Sequence, residues 1–160
     1  MTTPELNDDF RDLLQCLRDA HAEFVIVGAH ALAAHGLPRA TGDLDVLVRP
    51  DAANAARVYE ALAEFGAPLA AHGVTEADFA TPDTVYQIGL PPRRIDILTE
   101  ISGVTFDEAW ASRLVVAVLG APLAFLGRDA LIANKRAAGR PKDLADVAAL
   151  ESAVQDRDHG

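Results

Sequence analysis

From Asp43 to Val48 the chain reads Asp-Leu-Asp-Val-Leu-Val, so that Leu44, Val46 and Val48 alternate with Asp43, Asp45 and Leu47. A period of two is the mark of a strand with one buried face. This segment constrains the fold more than any other, because it sends two carboxylates to one side of a sheet whose opposite side must be covered. Candidate covers lie on either side of it. Leu6, Phe10, Leu13, Leu14 and Leu17 repeat at helical spacing with charges between them, which predicts an amphipathic helix over residues 4–21. Residues 24–27 form a short β-rich run closed by Gly28, and residues 29–35 read as a short helix stopped by Gly36 and Pro38. Pro50 and Asp51 open a further helix running to about Phe65, with Val58, Leu62 and Phe65 on its inner face.

The second half repeats this alternation of strand and helix. Residues 66–83 are less regular. Residues 84–90 and 93–98 are strand-like runs parted by Pro91 and Pro92, the pattern of a hairpin, and the second carries Asp96 between Ile95 and Ile97. A short helix is predicted over residues 106–113, then strands over 114–119 and 122–126 joined by Gly120 and Ala121. A helix from about Arg128 stops at Gly139, and another starts near Pro141 and passes Leu150. The expectation is an α/β (α+β) fold, a mixed β-sheet flanked by helices with a C-terminal helical pair. With 160 residues, no repeat and no low-complexity linker, it is read as one domain spanning residues 1–160.

Several classes of function fit poorly. The longest apolar run, residues 24–37, is broken by Gly28, His30, His35 and Gly36 and falls short of the roughly 20 residues needed to cross a bilayer. Glu5, Asp8 and Asp9 stand where a secretory signal needs basic residues, so a cytoplasmic location without membrane contact is expected. Cys16 is the only cysteine, which leaves no internal disulfide and no cysteine-based zinc site. The histidines are scattered and read as satisfied structural residues. A net charge of −10 argues against broad attraction to nucleic acid. Even so, Lys135, Arg136, Arg140 and Lys142 fall within one short stretch that contains both lysines of the chain, a local anion site in an acidic protein.

Asp43, Asp45 and Asp96 are the candidates for chemistry. Residues two apart on one strand face have Cα atoms only about 6.6 Å apart. Two charges about 4 Å apart repel by on the order of 4 kcal/mol at an effective dielectric of 20, so something must offset the pair. Mg²⁺ does so naturally, taking one or two carboxylates and completing its octahedron with water and phosphate oxygens. With Asp96 on a neighbouring strand, three carboxylates suit two metals about 3.5–4 Å apart, a clamp for in-line phosphoryl transfer.

The segment VGAHALAAHGLPRATGDLDVLV, residues 27–48, resembles the signature of the DNA polymerase beta-type nucleotidyltransferase superfamily: an apolar residue, Gly, Gly or Ser, a spacer, then Asp-apolar-Asp or Glu. Here the spacer between Ala29 and Asp43 is thirteen residues. The tail NKRAAGRPKDLADVAAL, residues 134–150, is similar to the C-terminal motif of the AbiEii-like toxin branch and its small bacterial relatives. With RIDILTEISGVTF, residues 94–106, between them, the resemblance spans nearly the whole chain.

That resemblance implies a minimal nucleotidyltransferase fold. It also implies that Gly28 and Ala29 form the turn receiving an NTP, that Asp43 and Asp45 hold Mg²⁺, and that Asp96 is a third metal ligand or draws the proton from an acceptor hydroxyl. Lys135 would bind nucleotide phosphate and Asp143, rather than Asp146, would complete the site. Thr41 and Arg39 match an Arg-x-Thr that precedes the acidic pair; Thr41 falls to the nucleotide, Arg39 to pairing with a neighbouring acid. Ala29 departs from the usual Gly or Ser. Arg94, two residues from Asp96, should share its face and pair with it. The implied activity is transfer of a nucleoside monophosphate from an NTP to a hydroxyl with release of pyrophosphate. The acceptor is tRNA or another RNA in toxin-like relatives, and a small molecule or a protein in others. The alternative is a catalytically silent nucleotide-binding or interaction module, one half of a toxin–antitoxin-like pair with a partner protein.

Overall fold

The computed structural model describes residues 6–37, 42–118 and 120–159, with side chains to residue 153. It is an α+β fold built on one six-stranded mixed sheet in the order β3-β4-β2-β1-β6-β5. The strands are β1 (Phe24–Val27), β2 (Leu44–Val48), β3 (Val85–Ile88), β4 (Ile95–Leu98), β5 (Leu114–Val118) and β6 (Ala121–Phe125). The helices are α1 (Asp8–Asp19), α2 (Gly28–Ala34), α3 (Ala52–Phe65), α4 (Phe106–Ala111), α5 (Arg128–Ala138) and α6 (Pro141–His159). The two predicted hairpin partners, β3 and β4, are antiparallel, while β2 runs antiparallel to β1 and parallel to β4.

Alternation along the strands divides the core. Phe24 and Ile26 of β1, with Leu44, Val46 and Val48 of β2, pack into a cluster completed by α1 and α3. Val25, Val27 and Leu47 point the other way and pack with α2, α4, α5 and α6. Three helices, α1, α3 and α4, start where the sequence provides a side-chain cap. Asn7 accepts from the Phe10 N–H, Asp51 from the Asn54 N–H, and Thr105 and Glu108 form a reciprocal capping box. Buried Asn54 bonds Glu23 and Arg49 main-chain groups, tying α3 to the ends of β1 and β2.

Several boundaries differ from the sequence expectation. The first helix spans Asp8–Asp19 rather than residues 4–21, its lower limit set by the Asn7 cap. Gly28 is the first residue of α2 rather than the last of a turn, and Asp43 immediately precedes β2 instead of lying within it. The irregular stretch contains a 3-10 turn, Glu76–Ala80, whose Phe79 is fully buried; no periodic pattern announces it. Not every histidine is satisfied: buried His30 stacks edge-on against Phe10, and its Nε2 has no hydrogen-bond partner among the described residues. Burial holds the His30 imidazole below its usual pKa, and a hydrogen bond to the Gly42 main chain, which favours the protonated ring, opposes it only in part. Among the described residues no helix is long and apolar enough to cross a membrane.

Candidate active site

The strand order brings the three predicted carboxylates together. Asp45 on β2 and Asp96 on β4 are direct register partners across a parallel pair. Their strand neighbours Leu44, Val46, Ile95 and Ile97 all belong to the α1/α3 cluster, so the two carboxylates emerge on the opposite face, that of α5 and α6. Asp43, two residues before Asp45, opens on the same side. All three line one cleft of about 870 Å³, within the range of small-molecule sites.

Asp45 carries the strongest electrostatic signature. Burial, the facing Asp96 carboxylate, a side-chain hydrogen bond with it, and Asp43 together push the Asp45 carboxyl up to about 7, with Arg94 pulling the other way. Gly28 lies directly against it. A Cβ at this position would overlap the Asp45 carboxyl group, and Gly28 also sits at φ 69°, where a side chain is strained. Two independent demands therefore require glycine here. Ala29 lines the same cleft.

Arg94 bridges the acids. Its Nε donates to Asp96 Oδ1 at 2.9 Å and Nη2 to Asp96 Oδ2 at 3.3 Å. Nη2 also lies 3.3 Å from Asp43 Oδ2, and the Arg94 main-chain N–H donates to Asp43 Oδ1 at 3.2 Å. The expected pairing with Asp96 is present; the reach to Asp43, on the neighbouring strand segment, was not readable from spacing.

The opposite wall comes from the helical pair. Lys135 Nζ lies 3.5 Å from Asp143 and 3.2 Å from Asp146, with its side chain only 13% exposed. Asp143 is fully buried; it accepts from Arg140 Nε at 2.6 Å and from the Arg140 main-chain N–H at 3.2 Å. These contacts, Arg140's side chain first, hold the Asp143 carboxyl below its usual range, and Lys135 adds to the effect. Asp143 thus fastens the start of α6 while it positions Lys135. Asp146 borders the same cleft, so both acids, not Asp143 alone, meet the lysine. Thr41, like Arg39, lies outside the described residues.

Sequence reasoning missed what sets the distance between the walls. Gly103, at φ 74°, lets the turn after β4 press against Ala137 of α5, and Asn134 Nδ2 donates to Ser102 O at 2.9 Å. Lys142, Asp83 and Glu100 also line the cleft. The single usable signal was Gly103 between Ser102 and Val104, a turn dipeptide without any hint of its partner helix.

The cleft thus presents seven carboxylates against four cationic side chains. Among the described residues no three acidic, histidine or cysteine groups form a ready-made metal cage. The hard oxygen donors of Asp43, Asp45 and Asp96 nevertheless suit Mg²⁺, which uses one or two carboxylates and leaves the rest of its shell to water and phosphate. The guanidinium already standing across Asp43 and Asp96 marks where positive charge is wanted.

A solved structure from Thermotoga maritima, described as a "putative nucleotidyltransferase", superposes on this chain with a TM-score of 0.52 over 94% of this chain and 91% of its own, at 13% identity. The likeness is one of fold. No family model and no curated protein matches the sequence.

Proposed function

We propose that this protein is a Mg²⁺-dependent nucleotidyltransferase that moves a nucleoside monophosphate from an NTP to an acceptor hydroxyl. The observation that carries the reading is the register pairing of Asp45 with Asp96 beside Gly28, in a cleft whose other wall holds Lys135. The fold likeness to the Thermotoga maritima protein and the signature over residues 27–48 support it.

Charge supports the metal requirement. A triphosphate does not enter a cleft with an excess of carboxylates unless a cation accompanies it. Asp43 and Asp45, with Asp96 as a third donor, are the residues to hold one or two Mg²⁺ ions. When bound, the metal neutralises phosphate charge and polarises the α-phosphoryl group. Gly28 and Ala29 leave room for phosphate against the main chain. Lys135, steadied by Asp143 and Asp146, contributes a point charge to the triphosphate. The acceptor oxygen bonds to the α-phosphorus, the bond to the β-phosphate oxygen breaks, pyrophosphate leaves, and Asp96 receives the acceptor proton.

The tail over residues 134–150, similar to the AbiEii-like toxin branch, favours an RNA 3′ hydroxyl as acceptor; a small molecule or protein hydroxyl is the competing class. A second reading, a nucleotide-binding module without transfer, draws on Arg94, which occupies both oxygens of Asp96. Incubating each α-labelled NTP with Mg²⁺ and a cell lysate, with wild type and Asp45→Asn in parallel, tests both. Label in the RNA, protein or small-molecule fraction with wild type only supports transfer and identifies the acceptor class. Binding of Mg²⁺-NTP without label in any fraction favours the silent module.

A further inference from the structure

We propose that Arg94 is a resident counter-cation that keeps free divalent metal out of the carboxylate cluster and yields its place to metal that arrives with nucleotide. The inference rests on reading the cleft as a Mg²⁺-nucleotide site.

Arg94 engages the oxygens that a metal would need. Its Nε and Nη2 cover both oxygens of Asp96, and its Nη2 and main-chain N–H meet both oxygens of Asp43. A guanidinium keeps its charge at any working pH and offers donors only, in a fork that matches carboxylates. A metal ion entering Asp43 and Asp96 must therefore displace it. Asp45 receives no hydrogen bond from Arg94 and, though it shares one with Asp96, is the member of the trio that the guanidinium does not cover.

Whether displacement is favourable depends on what arrives. A bare divalent ion offers the carboxylates a better cation but leaves Arg94 without an anion. A metal-bound triphosphate offers both, since its phosphate oxygens are bidentate acceptors for the freed guanidinium. The route is short: the Arg94 side chain is 30% exposed on the wall of the cleft itself. The other cations there are already engaged, Lys135 by Asp143 and Asp146, and Arg140 by Asp143. Lys142 also lines the cleft, but its ammonium is a point charge without the fork that matches a phosphate bidentately. Arg94 is thus the cation whose release gives the incoming phosphates a strong new contact. The same exchange frees both Asp96 oxygens from the guanidinium, so that Asp96 can serve as the third donor.

Binding of Mn²⁺, followed by loss of the free-ion electron paramagnetic resonance signal, tests this with and without an NTP analogue whose α,β-bridge is a methylene. Arg94→Gln is expected to bind Mn²⁺ alone at least tenfold more tightly than wild type, and Arg94→Gln combined with Asp45→Asn to lose that gain. With the analogue present the advantage of Arg94→Gln should vanish and its affinity for the analogue should fall several-fold below wild type. Arg94→Lys, which keeps a charge without the fork, should bind free Mn²⁺ more tightly than wild type and carries the test if the glutamine variant does not fold. Equal free-Mn²⁺ affinity in wild type and the variants, with Mn²⁺-analogue binding intact, overturns the role of Arg94 and leaves the site reading standing. Absence of Mn²⁺ binding in every protein, with or without analogue, overturns the site reading and this inference together.

Discussion

Asp45 and Asp96 face one another across the parallel strands β2 and β4, as direct register partners. Neither can avoid the other, because the same register that aligns them also packs Leu44, Val46, Ile95 and Ile97 into the core behind. Slipping one strand by a residue would bury the acids and expose the core. The sheet therefore holds a like-charge contact at a cost to its own stability, and Asp45 responds by holding its proton to about 7. Several outcomes follow from that contact and from the walls around it.

Asp45→Asn should separate stability from activity. Removing the ionisable group relieves the repulsion with Asp96 and Asp43, so at pH 8 without divalent metal the variant should be more stable than wild type by about 1–3 kcal/mol. The same change removes a metal donor and should lower nucleotidyl transfer by a factor on the order of 100 or more. Denaturant melts and label transfer on the same preparations check the two halves.

Stability of the metal-free protein should depend on pH in two windows of opposite sign. The raised Asp45 carboxyl contributes stability that is fully present below its unfolded value near 4 and is lost as pH rises through about 7. The depressed Asp143 carboxyl contributes stability present above its unfolded value and lost as pH falls through its lower folded value. Melting temperature measured from pH 3 to pH 9 should decline towards alkaline pH in wild type, and that decline should flatten in Asp45→Asn. Asp143→Asn should flatten the acid limb instead.

Gly28→Ala should cost about 1–3 kcal/mol of stability, since a side chain is strained at φ 69°. It should also displace the Asp45 carboxyl group that a Cβ would overlap. Combining it with Asp45→Asn separates the two: the backbone penalty persists, while loss of Mn²⁺-nucleotide binding is not deepened. Urea unfolding and analogue binding supply the readouts.

Lys135→Met should destabilise the α5–α6 pair by about 1–3 kcal/mol, because it leaves Asp143 and Asp146 facing a largely buried apolar side chain. Adding Asp146→Leu should restore part of that loss, a coupling that a double-mutant cycle reads directly. Independent contributions from the two residues would show that the lysine serves the cleft alone.

Most strands and helices were legible because their periods are unambiguous: β1 matches its predicted limits, α3 ends at the predicted Phe65 with Asp51 as its cap, and the alternation over Asp43 to Val48 pointed to the common face of the acids. Asp96 was legible as a strand acid, but its pairing with Asp45 depends on β4 lying beside β2, a non-local choice that no spacing encodes. Arg94 illustrates both cases. Its bond to Asp96 follows from a period of two, whereas its bond to Asp43 needs the sheet. Lys135 stood out as one of two lysines, yet its position between Asp143 and Asp146 comes from the turn at Gly139 that folds α6 back along α5. Phe79 was missed because a 3-10 turn has no amphipathic period to detect.

The most direct test of the central claim is which part of the NTP is transferred. Purified wild-type protein, Mg²⁺ and lysate RNA are incubated with NTP labelled either at the α- or at the γ-phosphate, with Asp45→Asn as the control. The account predicts α-label in the acceptor and γ-label in pyrophosphate, both dependent on Mg²⁺ and both absent from the variant. Transfer of γ-label to the acceptor, or transfer of α-label undiminished in Asp45→Asn, would contradict it.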